Sequence, residues 1–124
     1  MSKRILIIDD EVSFTRLMSM NLEDTGDFEV KIENDPLKAT QTAKYFKPDV
    51  VILDILMPGK SGLQLATEWE SSEELGAIPI IFLTAAMSKD QPDVENALFI
   101  KHQVLIKPVS FTQLIDTIRQ VLKK

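Results

Sequence analysis

Two rhythms of apolar residues alternate along the chain. Short runs of aliphatic and β-branched residues, Ile5-Leu6-Ile7-Ile8, Val50-Val51-Ile52-Leu53, Ile78 to Leu83 and Val104-Leu105-Ile106, predict buried strands of a parallel sheet. Phe28, Val30 and Ile32 alternate with Glu29 and Lys31, which predicts a strand nearer the sheet edge. Between these runs the period lengthens to that of a helix. Phe14, Leu17, Met18 and Leu22 predict a helix over 12–25, stopped by Gly26. Asn34-Asp35-Pro36 opens a second helix with a thin face of Leu37, Ala39, Ala43 and Phe46, closed by Lys47-Pro48. Leu63, Leu65, Ala66 and Trp69 mark a third, and Pro92 begins a fourth that runs to about Lys101. Phe111, Leu114, Ile115, Ile118 and Leu122 give the clearest helical stripe, a fifth. Five strands alternating with five helices predict a doubly wound α/β sandwich, with right-handed crossovers between parallel strands.

The strands end on chemistry. The first ends on Asp9-Asp10-Glu11, the third on Asp54, the fourth on Thr84 and the fifth on Lys107-Pro108. A parallel sheet puts all these ends on one rim. If the strand order is 2-1-3-4-5, the first and third strands are neighbours, about 4.8 Å apart, where the winding reverses and such sheets bind ligands. Asp9, Asp10 and Asp54 then share a pocket. Two carboxylates about 4 Å apart repel by about 4 kcal/mol at an effective dielectric of 20. Relief comes from raised pKa values or from a cation. Oxygen-only ligands select a hard divalent ion, and Mg²⁺ keeps waters while taking only one or two carboxylates. An open acidic Mg²⁺ site suits a phosphate, for which Thr84 offers a hydroxyl and Lys107 a mobile charge.

Composition narrows the function classes. The 124 residues suffice for one domain, 44% of them hydrophobic, so a disordered chain is not expected. With 14 basic against 19 acidic residues the net charge is −5, and no basic run precedes Lys123-Lys124, which argues against direct nucleic-acid binding. The absence of cysteine excludes disulfides, thiolate metal sites and a cysteine nucleophile, and fits a cytoplasmic protein. No apolar run approaches the roughly 18 residues of a membrane span.

Together, Asp9-Asp10, Asp54 followed by Met57-Pro58-Gly59 and Gly62, Thr84-Ala85, and Lys107-Pro108 resemble the receiver domain of two-component response regulators, of the chemotaxis-regulator kind. The resemblance covers essentially the whole chain, and the motifs fall in order on the right elements. It implies a flavodoxin-like (βα)5 three-layer sandwich in which Asp54 accepts a phosphoryl group from the phosphohistidine of a sensor histidine kinase or phosphotransfer protein. It further implies Mg²⁺, or Mn²⁺ in its place, bound by Asp10 directly, by Asp9 through water, by Asp54, and by the Leu56 carbonyl. Thr84 and Lys107 would contact the phosphoryl oxygens, helped by the backbone N–H groups of Leu56 and Ala85. In the family Lys107-Pro108 is a cis peptide. The face made by the fourth helix, fifth strand and fifth helix would signal to a downstream protein, an output domain or a second copy of the chain, with Phe99 and Ile100 as contact candidates. No output domain is visible, so the chain is either a stand-alone receiver or the receiver of a longer regulator.

Each motif has an ordinary explanation when taken singly. Asp9-Asp10 caps a helix, Asp54 precedes a Pro-Gly turn, Thr84 opens a helix, and Lys107 is a loop lysine. His102 reads as a surface or helix-end residue, Met18, Met20 and Met57 as packing, and Trp69 as partly buried. A metal-dependent phosphohydrolase with an aspartyl-phosphate intermediate is the rival function, but Asp9-Asp10-Glu11-Val12 lacks the Asp-x-Asp pattern expected after the first strand. A non-phosphorylated interaction module is a third. Two departures from the family stand out. Val104 occupies the position of the usual aromatic switch residue and cannot make a ring-sized rotamer change, so the switch is expected to run through backbone and helix shifts in 88–104. Lys101-His102-Gln103 replaces the usual Gly-Ala before the fifth strand.

Overall fold

The computed structural model describes residues 2–85 and 101–123. Five strands, β1 (Lys3–Ile8), β2 (Phe28–Glu33), β3 (Val50–Asp54), β4 (Ile80–Thr84) and β5 (Gln103–Ile106), form one parallel sheet in the order β2-β1-β3-β4-β5. Helices α1 (Val12–Asp24), α2 (Ala39–Phe46), α3 (Gly62–Glu70) and a C-terminal helix (Phe111–Leu122) cover its two faces. The fold is the doubly wound sandwich expected from the alternating pattern, in the flavodoxin-like arrangement that the resemblance implies. The expected fourth helix over 92–101, with Phe99 and Ile100, lies outside the described residues apart from Lys101.

Strand side chains alternate between faces, and this sorts the core into two layers. Leu6, Ile8, Val51, Leu53 and Phe82 pack under α2 and α3, against Ala39, Ala43, Leu65 and Trp69. Ile5, Ile7, Val50, Ile52, Ile81 and Leu83 face α1 and the C-terminal helix, against Met18, Leu22, Leu114 and Ile118. All five residues of β3 are buried, as its unbroken apolar run requires. Trp69 is fully buried rather than half-exposed, and its indole Nε1–H donates to Thr40 Oγ1 at 2.9 Å.

Several helix-face expectations need correction. Leu17 and Met20 point outward, and Thr15 takes the inward position with Met18 and Leu22. Thr15 is tolerated there because its hydroxyl donates to the Val12 carbonyl (3.0 Å) and accepts from Asn34 Nδ2 (3.1 Å). Leu37 is exposed because 36–38 is a separate 3₁₀ turn, capped by the Asp35 carboxylate accepting from Leu37 N–H, and α2 begins only at Ala39. The fourth strand starts at Ile80, two residues later than the apolar run suggests. His102 is no surface residue. It is half-buried, its Nδ1 accepts the Ile80 N–H at 3.2 Å, and its ring stands edge-on to Phe82 at 5.8 Å. Burial pushes its pKa below the usual histidine value, reinforced by Lys101 and partly offset by Glu70.

Candidate functional site at the carboxyl rim of the sheet

Register puts the acids side by side. Ile8 pairs with Leu53, so the next residue on each strand, Asp9 and Asp54, lie together where β1 and β3 leave the sheet. Asp9 and Asp54 are buried and Asp10 is exposed, and one carboxylate oxygen from each lies within 4.8 Å of the others. Asp9 is held firmly. Its Oδ1 accepts from Glu11 N–H (2.9 Å), its carbonyl accepts from Asn34 Nδ2 (2.7 Å), and its own N–H donates to the Glu33 carbonyl (3.2 Å).

Lys107 reaches the same cavity from the end of β5. Its backbone N–H donates to the Thr84 carbonyl at 2.7 Å, and the Lys107-Pro108 peptide is cis. Its Nζ lies 3.0 Å from Asp9 Oδ2 and 3.6 Å from Asp54 Oδ1. Thr84 is buried one residue beyond Leu83, which pairs with Asp54. Ala85 follows at the rim, exposed, and Leu56, two residues past Asp54, exposes its side chain there too. Val104 lies further back, opposite Phe82, half-buried against the layer under α2 and α3.

The loop after Asp54 is folded back tightly. Gly59 turns the chain at φ +90°, and Gly62 N–H donates to the Ile55 carbonyl at 2.9 Å. A Cβ at Gly62 would run into the Asp54 carbonyl oxygen, so only glycine lets α3 start this close to the strand end. Ser61 and Gln64 then cap α3 reciprocally.

Burial, then the neighbouring Asp9 and Asp10, push the Asp54 pKa up to about 7, although Lys107 pulls against them. Burial alone would lower the Lys107 pKa, but Asp9, Asp54 and Glu11 outweigh it and hold the ammonium above its ordinary value. A single cation therefore does not neutralise the cluster. The donors are all oxygens and converge to within 4.8 Å of one another, so a small side-chain adjustment brings two of them to the Mg–O distance of about 2.1 Å from one ion. The residues fit a hard divalent cation held by one or two carboxylates directly.

A family model described as the response regulator receiver domain matches residues 5–119. The chain belongs to the response regulator receiver family. Among its relatives, protein PilH of Pseudomonas aeruginosa is 37% identical over 123 residues, covering 96% of this receiver and 97% of PilH. The phosphate regulon regulator PhoB of the same organism is 32% identical over 98% of this receiver, which spans only 52% of PhoB's length. The receiver thus spans nearly all of some relatives and about half of others. The solved chemotaxis protein CheY4 of Vibrio cholerae superposes with a TM-score of 0.86 at 26% identity, over 98% of this receiver and 99% of that chain. Receiver domains are signalling domains that generally bind Mg²⁺ at such an acidic cluster and work with histidine kinases and output domains. No helix among the described residues is long and apolar enough to cross a membrane.

Sequence reasoning passed over three residues here. Asn34 anchors the Asp9 carbonyl. Glu11 Oε1 lies 3.5 Å from Lys107 Nζ, and the Phe14 ring centroid lies 5.2 Å from it. Glu11 was legible only as one of the acids that follow the first strand and Phe14 only as a helix-face residue, because their positions at the start of α1 give no hint of a partner 93 or more positions away.

Proposed function

We propose that all 124 residues act as one phosphoacceptor switch in the cytoplasm, with Asp54 taking a phosphoryl group from the phosphohistidine of a sensor kinase or phosphotransfer protein. A carboxylate oxygen of Asp54 forms the new O–P bond as the P–N bond breaks, and the electron pair returns to the imidazole nitrogen. Asp10, Asp54 and the Leu56 carbonyl, with Asp9 through water, would hold Mg²⁺ (or Mn²⁺), which when bound would supply charge neutralisation for the transferring group. Lys107 swings from the aspartates to a phosphoryl oxygen, and Thr84 with the N–H groups of Leu56 and Ala85 takes the others. The Thr84 carbonyl is bonded to Lys107 N–H, so movement of either residue is felt on β4 and β5 together. With Val104 at the usual aromatic position, the signal passes by backbone shift to β5 and the C-terminal helix; of the expected route through 88–104, only 101–104 lies within the described residues. That face then engages a downstream protein, an output domain or a second copy of the chain.

One observation carries this reading: a single ammonium lies 3.0 and 3.6 Å from two buried aspartates inside a three-carboxylate cluster. Incubation with acetyl phosphate and Mg²⁺ should add one phosphoryl mass to the intact protein. Asp54→Asn or a chelator should prevent it. Release of phosphate over many turnovers would favour a phosphohydrolase instead, and no mass gain would favour an inert interaction module.

A further inference from the structure

Lys107 has two contacts that phosphoryl transfer does not call on. Both come from the start of α1. Glu11 Oε1 stands 3.5 Å from Nζ, and the Phe14 ring lies 5.2 Å from it. Asp9 at 3.0 Å completes the set, while Asp54 at 3.6 Å is beyond hydrogen-bond reach. An ammonium has only three donors, and here two of them go to Asp9 and to Glu11, the residue that precedes α1.

We propose that Glu11 and Phe14 form a resting cradle that holds the Lys107 ammonium beside α1 and competes with a phosphoryl group on Asp54 for it. They are positioning residues, acting through Lys107 and setting how readily the site loads. This rests on the phosphoacceptor reading above. To reach a phosphoryl oxygen Lys107 must give up these contacts, so weakening them favours the loaded state. The scale is modest. Glu11 is largely exposed, and an exposed ion pair or a cation–ring contact each corresponds to about two- to fivefold in an equilibrium constant.

The test is the affinity of the full chain for beryllium fluoride in Mg²⁺, a phosphoryl mimic. Glu11→Gln and Phe14→Leu should each tighten binding about two- to fivefold. Phe14→Leu is the decisive arm, because it changes no charge and a bare loss of repulsion at the site cannot explain its effect. Tightening by Glu11→Gln alone, or by neither variant, overturns the proposal. Thermal melts check that Phe14→Leu folds, and Glu11→Gln, at an exposed position, carries a second measurement should it not. In Mg²⁺-free protein the nuclear Overhauser contact between the Lys107 ε-protons and the Phe14 ring should be strong in the wild type and weaken in Glu11→Gln. An unchanged contact overturns the cradle. A wild type that shows this contact but never binds beryllium fluoride would overturn the phosphoacceptor reading and leave the cradle standing.

Discussion

Asp54 is a costly residue to bury without a cation, and its protonation should show it. Its pKa rises from 3.8 to about 7 on folding, because burial and then Asp9 and Asp10 oppose its charge. Between those values the native state binds more protons than the unfolded one, so stability falls as pH rises through that window. Three units correspond to about 4 kcal/mol at most. Lys107 acts in another window. Its raised pKa means that its ion pairs contribute fully below about pH 10.5 and fade only above it. In chelator, Asp54→Asn should therefore raise the urea midpoint clearly at pH 8 and hardly at pH 4. Equal shifts at the two pH values would show that Asp54 is not desolvated as described.

The connection from β3 to α3 is the element on which the site's shape depends. Gly62→Ala would push a methyl group into the Asp54 carbonyl oxygen. Backbone cannot yield as a flexible side chain can, so unfolding experiments should show a loss of about 1–3 kcal/mol. Ser61→Ala removes half of the reciprocal cap on α3 and should cost about 1 kcal/mol. Retention of wild-type stability by Gly62→Ala would mean that the loop approaches the strand less closely. Much at this scale was legible in the sequence. Val50-Val51-Ile52-Leu53 was read as a strand buried on both faces from its short, β-branched apolar run, and the Phe28 to Ile32 alternation correctly marked β2 as an edge. What was hidden depended on tertiary partners. Thr15 displaced Leu17 from the core because Asn34, in the loop after β2, satisfies its hydroxyl. His102 is drawn half into the fold because the first N–H of β4 needs an acceptor, a demand invisible until β4 and β5 are paired.

At the scale of the whole molecule, parallel winding brings residues 9, 54, 84 and 107 to one rim. The strand-end acids and the reversal of winding order made that much readable from the chain. The further consequence is linkage between metal, proton and fold. A divalent cation that binds only the native cluster stabilises it by about 2.7 kcal/mol at one hundred times its dissociation constant. Protons compete for the same oxygens, since Asp54 with a pKa near 7 is mostly protonated at pH 5. Mg²⁺ should therefore raise the melting temperature more at pH 8 than at pH 5, and the increment should shrink in both Asp10→Asn and Asp54→Asn. Metal and proton would then act on the same carboxylates, and the pH-dependent loss seen in chelator would be largely recovered in Mg²⁺. A pH-independent increment, or one that survives in Asp10→Asn, would place the ion elsewhere on the acidic surface and separate it from the cluster that Lys107 reaches.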